Sequence, residues 1–118
     1  MKRVLALLSL ACALFVASAC HFDVNLSVEA DATLTYANGD LIRIDPVLYE
    51  GFHHKHLTEN DLEAIFIDLT RNVSDSFITA VLHLAVYDEI SGKYLRDEDH
   101  GVVYNAHTGH YDFAELIL

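Results

Sequence analysis

The feature that most restricts the fold is a strict alternation of apolar and polar side chains between Phe22 and Tyr36. A period of two is typical of an antiparallel strand with one buried face and one solvated face. Fifteen residues exceed the usual length of a strand, so we expect a bend or bulge near residues 30–32. The chain therefore needs partner strands and a cover for one face of its sheet.

A turn signal at residues 38–40 (Asn-Gly-Asp) separates this strand from a second apolar stretch. A three-residue loop would place Leu34 opposite Ile44 and keep one face of the hairpin apolar, whereas a two-residue loop would place polar side chains on that face. We therefore predict a hairpin with a three-residue loop. At Pro46 the second strand of this hairpin either ends or lies at the edge of the sheet. Residues 50–55 are predicted to form a loop.

The next stretch carries the signals of a helix near residues 58–71. Thr58 and Asp61 occupy the positions of a capping box, with Asp where Glu or Gln is usual. Four apolar residues fall on one helical stripe: Leu62, Ile65, Phe66 and Leu69. Ile67 lies off this stripe, and it supports the alternative of a strand over residues 64–70.

Residues 77–88 are apolar on both faces, which indicates an interior strand that is covered on at least one side. We expect the helical stripe to pack against the sheet face that bears Ile78, Leu82, Leu84 and Val86. His83 lies within this strand, and we interpret it as a satisfied or half-exposed sheet histidine.

The last third contains a short repeat, in which Val86–Tyr94 aligns with Val103–Tyr111. Each copy has a strand end, an Asx residue, Ser or Thr, Gly, a basic residue and Tyr. These residue types favour a hairpin with a four-residue loop, because the Asx side chain caps the turn and Gly adopts a positive φ. Each hairpin would join two tyrosines across its strands, and residues 97–101 are predicted to form a further turn.

Together these segments predict an α+β fold: a small antiparallel sheet, built from the N-terminal hairpin and a C-terminal four-strand meander, with one packed helix. The stretch Asn72–Tyr94, with its Asn-x-Ser turn, long strand and Tyr-Asp hairpin, also resembles extracellular immunoglobulin-like modules. That resemblance implies the alternative fold, an all-β sandwich in which residues 64–70 form a strand.

The first 19 residues have the organisation of a secretory signal peptide. Lys2 and Arg3 precede an apolar run, which ends in the small residues Ala17-Ser18-Ala19. The run is short for a membrane span, which needs about 20 apolar residues. We therefore predict a signal peptide over residues 1–19 and a single small acidic, β-rich domain over residues 20–118, with no transmembrane helix in the mature form.

Cys20 is the one cysteine that cleavage would leave, because Cys12 lies in the signal peptide. A lone thiol has no partner for an internal disulfide. The stretch Ala17-Ser18-Ala19-Cys20 resembles the bacterial lipobox, although Ala17 stands where Leu is usual. The resemblance implies acylation of Cys20 and a membrane-anchored lipoprotein of the bacterial cell envelope, with the outer membrane or cell surface favoured. The alternative is cleavage without acylation, which would give a secreted or periplasmic soluble protein.

The charge of the chain restricts its partners. The formal net charge is −11, and the loss of Lys2 and Arg3 with the signal peptide makes that of the mature chain −13. Phosphate backbones and anionic lipid surfaces attract basic faces, so a nucleic-acid partner is not expected. A strongly acidic surface favours solubility, a cationic partner or divalent cations.

Histidine is frequent in this chain, which contains eight. Imidazole and carboxylate groups are ligands of zinc and copper, and a site needs three or four of them. The candidate ligands stand in a predicted loop and beside a predicted hairpin: His53, His54, His56, His107, His110 and Asp112. Their convergence would make a divalent-metal (Zn or Cu) binding protein of the periplasm or cell surface, which is the alternative hypothesis for function. If these side chains are instead solvated surface residues, no cofactor is expected.

The main hypothesis is a non-enzymatic binding module. The serines after residue 20 lie outside any Gly-x-Ser-x-Gly motif, and no Gly-rich phosphate loop occurs, so we do not expect an enzyme. Tyrosine is favoured in recognition surfaces, and the negative charge would attract a cationic protein. The candidate binding residues are the hairpin tyrosines Tyr87, Tyr94, Tyr104 and Tyr111.

Overall fold

The computed structural model describes residues 24–117, so the predicted signal peptide and Cys20 lie outside the described residues. The elements follow in the order β1 (Leu26–Thr35), β2 (Leu41–Phe52), α1 (Glu59–Thr70), β3 (Thr79–Asp88), β4 (Tyr94–Asn105) and β5 (His110–Leu116). All strand pairs are antiparallel, in the spatial order β2-β1-β3-β4-β5. The predicted α+β fold is confirmed, and the all-β alternative is not needed because residues 64–70 are helical.

The alternating stretch forms β1, whose even-numbered side chains are buried. Its first predicted residue, Phe22, lies outside the described residues. The expected irregularity is present, because Ala30 pairs with Val47 whereas Ala32 pairs with Ile44. The extra residue therefore lies on β2, and β1 itself stays in regular register with β3 on its other side.

β2 is longer than predicted. The strand continues through Pro46 to Phe52, so residues 50–52 are strand and not loop. Proline is tolerated because β2 is an edge strand and because Pro46 lies at the bulge, where the hydrogen-bond ladder is already interrupted. The loop has three residues (37–39) and the hairpin keeps its apolar face, but Leu34 pairs with Ile42, two residues earlier than predicted.

The helix matches its sequence signals closely. The Thr58 side chain accepts a hydrogen bond from the backbone N–H of Asp61, and the Asp61 carboxylate accepts one from the backbone N–H of Thr58. Ile67 stays half-exposed, as its place off the stripe predicts. The buried residues are those of the stripe: Leu62, Ile65, Phe66 and Leu69. Within residues 24–117, no helix is long and apolar enough to span a membrane.

The helical stripe and one face of the sheet form the core. On β3 the buried side chains are Ala80, Leu82, Leu84 and Val86. The prediction was wrong for Ile78, which precedes β3 and is 58% exposed. The Phe66 ring closes one end of the core, with its centroid 5.0 Å from that of Tyr111 and 6.3 Å from that of Phe113, both edge-on.

The C-terminal meander has three strands, and the prediction of four was wrong. Residues 97–101, predicted as a turn, lie inside β4, which runs from Tyr94 to Asn105. Asp and Gly favour turns locally, but pairing with β3 on one side and with β5 on the other holds this segment extended.

Both repeat hairpins form as predicted. Gly92 and Gly109 have φ values of 72° and 74°, which the loops require. The Asp88 carboxylate accepts hydrogen bonds from two backbone N–H groups of its loop, and the side-chain oxygen of Asn105 does the same in the second hairpin. The cross-strand couples are Tyr87–Tyr94 and Tyr104–Tyr111, with ring centroids 5.8 and 5.4 Å apart.

Candidate binding face

The two faces of the sheet differ in what packs against them. α1 packs on the face that bears the even-numbered residues of β1 and β3. No element between residues 24 and 117 packs on the opposite face, which we call the open face. Three rows of paired residues define it: Tyr87 with Tyr94; Glu29, Ala85 and Asp97; and Asp31, His83 and Asp99.

His83 lies between two carboxylates at the centre of the open face. Its Nδ1 lies 2.6 Å from Oδ1 of Asp99, and Asp31 is its paired residue on β1. The hydrogen bond to Asp99 raises the pKa of His83; burial opposes this shift, and the charges of Asp99, Asp31 and Asp97 add to it. With its side chain 36% exposed, His83 is the half-exposed, satisfied histidine that the sequence predicted.

The pair of His83 and Asp99 predicts a pH-dependent contribution to stability. Because the pKa of His83 is raised in the folded state, the pair stabilises the fold fully below the unfolded pKa of 6.5, and this contribution is lost as pH rises through the folded pKa. We expect His83→Gln to lower the free energy of unfolding more at about pH 5.5 than at about pH 8.5. Urea denaturation of both proteins at the two pH values measures this decrease in unfolding free energy. An equal decrease at the two pH values would contradict the prediction.

The second row adds two exposed carboxylates. Glu29 on β1 and Asp97 on β4 flank Ala85 from its two neighbouring strands. With Asp31 and Asp99, four carboxylates lie in two neighbouring rows of the open face, two on β1 and two on β4, with β3 between them. Such an arrangement creates a negative potential that attracts cationic side chains from solution.

The aromatic row lies next to these carboxylates. Tyr94 is 51% exposed and packs edge-on against the half-buried Tyr87. An exposed tyrosine ring binds Lys or Arg through its π face, so it complements the carboxylates. The four predicted tyrosines do not form one surface, because Tyr104 and Tyr111 lie at the other end of the sheet, where Tyr111 contacts Phe66.

The two groups of predicted metal ligands also lie at opposite ends of the sheet. His53, His54 and His56 follow β2, and Nδ1 of His53 lies 2.9 Å from Oδ1 of Asn25 at the start of β1. The second group, His107, His110 and Asp112, lies at the β4–β5 hairpin, where His110 contacts Glu63 of α1. In the part of the chain that the structure describes, no three His, Cys, Asp or Glu side chains are arranged to hold a metal ion. The structure therefore does not bring the two groups together.

An ionic cluster lies on the helix side of β4. Glu98 accepts hydrogen bonds from Nε of Arg96 at 2.7 Å and from Nε2 of His100 at 2.9 Å, and Arg96 also donates to the carbonyl of Lys55. The side chains of Glu98 and His100 are 12% and 9% exposed. Burial would raise the pKa of Glu98, but the hydrogen bonds from His100 and Arg96 outweigh burial and hold this pKa below its usual value. The cluster joins the loop before α1 to the sheet, so we assign it to stability.

The sequence reasoning missed the carboxylates of the open face and this ionic cluster. The available signal was the alternation within β4, where Arg96, Glu98 and His100 alternate with Asp97 and Asp99. Read as a strand, this pattern assigns the two sets to opposite faces.

Comparison of the chain with protein-family models, curated proteins and solved structures gives no match.

Proposed function

We propose that the protein is a non-enzymatic binding module of the bacterial cell envelope, anchored through an acylated Cys20, that binds a cationic protein on its open face. The supporting observation is the row arrangement on that face, where four carboxylates lie beside the exposed ring of Tyr94. The formal net charge of −13 that remains after cleavage before Cys20 adds long-range attraction for a partner of opposite charge.

Several carboxylates acting together are needed for such recognition. One exposed ion pair contributes about 0.2–1 kcal/mol, so a single carboxylate would not select a partner. Two rows of carboxylates and an aromatic row supply several contacts on one face of the sheet. Because the electrostatic attraction acts through solvent, binding should weaken as salt shortens the Debye length from about 10 Å at 0.1 M to about 3 Å at 1 M.

We expect affinity capture from envelope extracts to recover a basic protein at low salt and to lose it at high salt. The double variant Glu29→Gln/Asp97→Asn should weaken this binding at least about fivefold, because it removes two charges from the open face.

The matched control is Asp40→Asn/Asp75→Asn, which removes the same charge from loops outside the open face. This control should leave affinity nearly unchanged. The proposed function would be contradicted if the two double variants lost affinity equally. It would also be contradicted if no basic partner were recovered at either salt concentration.

The anchoring part of the proposal depends on Cys20, which lies outside the described residues. Intact-mass measurement of the protein purified from membranes should give a chain that begins at Cys20 and carries acyl groups. Cys20→Ser should abolish the modification and the membrane association. An unmodified chain that begins at Cys20 in the soluble fraction would refute acylation.

A further inference from the structure

The two edges of the sheet differ in how they are protected. The β2 edge is interrupted by bulges and contains Pro46, which has no backbone N–H. The β5 edge has seven residues in unbroken register with β4, without proline, glycine, lysine or arginine. No described strand lies beyond β5. A regular, uninterrupted edge of this kind is a template for pairing with another extended chain.

The backbone groups that point outward from β5 can be identified from one contact. The backbone N–H of Tyr111 donates to Oε2 of Glu63 at 2.9 Å, so it points away from β4. Alternate residues of an antiparallel edge strand turn their N–H and C=O groups to the same side, so those of Phe113 and Glu115 also point outward. Glu63 already occupies the N–H of Tyr111, so Phe113 and Glu115 form the open part of the template.

The surroundings of this edge are acidic. A groove of about 280 Å³ lies beside the start of β5, and three carboxylates are among its lining residues: Glu59, Glu63 and Asp112. Glu115 is exposed at the other end of the strand. A second copy of this chain would bring like charges together at the edge, whereas a basic segment would neutralise them.

We propose that β5 binds an extended basic segment of the cationic partner as an added antiparallel strand; this inference rests on the cationic partner of the proposed function. The residue opposite Phe113 exchanges both backbone hydrogen bonds with it. Side chains opposite Glu115 and Asp112 are basic, and the side chain opposite Phe113 is apolar because it lies beside that ring. From the N-terminus, the bound segment therefore reads basic, any residue, apolar, basic.

A peptide with blocked ends, Thr-Lys-Thr-Val-Lys-Thr, tests this assignment with the mature protein. In fluorescence anisotropy the labelled peptide should bind. N-methylation of the valine nitrogen should weaken binding at least about tenfold, because it removes the donor to the Phe113 carbonyl without changing any charge. Replacement of both lysines by glutamate should weaken binding at least about tenfold through repulsion.

Two substitutions at one position separate charge from backbone pairing. Glu115→Gln removes the charge and keeps the outward N–H, so it should weaken binding a few-fold. Glu115→Pro also removes the outward N–H, while the bonds to β4 are made by the neighbouring residues, so it should abolish binding. If the proline variant does not fold, the N-methylated peptide still decides the question.

Equal binding of the N-methylated and unmodified peptides would overturn this inference, and so would equal binding by the Gln and Pro variants. A dimer in sedimentation that Glu115→Pro dissociates would assign the edge to a second copy instead. Loss of the peptide site, with partner capture still sensitive to Glu29→Gln/Asp97→Asn, would overturn this inference alone. Peptide binding at β5, with capture insensitive to that double variant, would overturn the proposed open-face function alone.

Discussion

Replacement of Phe66 by alanine is expected to lower the free energy of unfolding by about 3–5 kcal/mol. The side chain has no exposed surface, and its ring meets those of Phe77, Tyr111 and Phe113 with centroids 5.7, 5.0 and 6.3 Å away. Alanine would leave a cavity between α1 and the sheet at the place that the Phe66 ring now fills. Urea denaturation followed by circular dichroism measures the loss as a shift in midpoint at constant slope.

The neighbouring residue provides the control. Ile67 lies on the same helix but is 51% exposed, so Ile67→Ala should change stability by no more than about 0.5 kcal/mol. Similar losses for the two variants would contradict the packing of α1. They would favour the alternative strand over residues 64–70, in which Ile67 shares a face with Ile65 and Leu69.

Glu98→Ala is expected to be the second severe substitution, with a loss of about 3 kcal/mol. Removal of this carboxylate leaves the guanidinium of Arg96 without its ion-pair partner and Nε2 of the buried His100 without its hydrogen-bond partner. The ion pairs themselves are not a large source of net stability, because burial of charges costs desolvation energy. The loss of stability arises because the remaining side chains lack their partner. A double-mutant cycle with Arg96→Ala should therefore give a coupling energy well above that of a surface ion pair.

The pH dependence of this loss follows from the pKa of Glu98. Because its folded-state pKa is lowered, the stabilisation is present above the unfolded value of 4.5 and is lost as pH falls through the folded pKa. The difference between the wild-type protein and Glu98→Ala should therefore shrink in acid. Asp97→Ala is the control, since Asp97 is the exposed neighbour on the other face. If Glu98→Ala lowers the free energy of unfolding no more than Asp97→Ala does, the ionic cluster contributes nothing to stability.

The helix and the two repeat hairpins could be predicted because their signals are local. Thr58 and Asp61 lie within one helical turn, and the buried stripe repeats with the period of the helix. Gly92 and Gly109 supply positive φ values, and the Asx side chains bond to their own loops. These interactions join residues only a few positions apart, so the residue types are sufficient to specify them.

The open face could be predicted only in part. The pairing of Tyr87 with Tyr94 follows from the sequence, because a hairpin loop of known length fixes their register. The contact of His83 with Asp99 cannot be derived from the sequence, because the residue types at positions 97–101 indicate a turn locally. Glu29 and Asp97 lie far apart in sequence and come to flank Ala85 only through the register of three strands.

The order of residue types is enough to establish the period of each segment, the ends of the helix and the chemistry of the turns. Tertiary structure alone decided that residues 97–101 stay extended, that β2 passes through Pro46 and that the carboxylates of β1 and β4 share one face. A segment has only a weak intrinsic preference for the strand conformation, because its backbone is held by hydrogen bonds to neighbours that are distant in sequence. Which strands become neighbours is settled by burial of the apolar face under α1, and the partners of each polar side chain follow from that register.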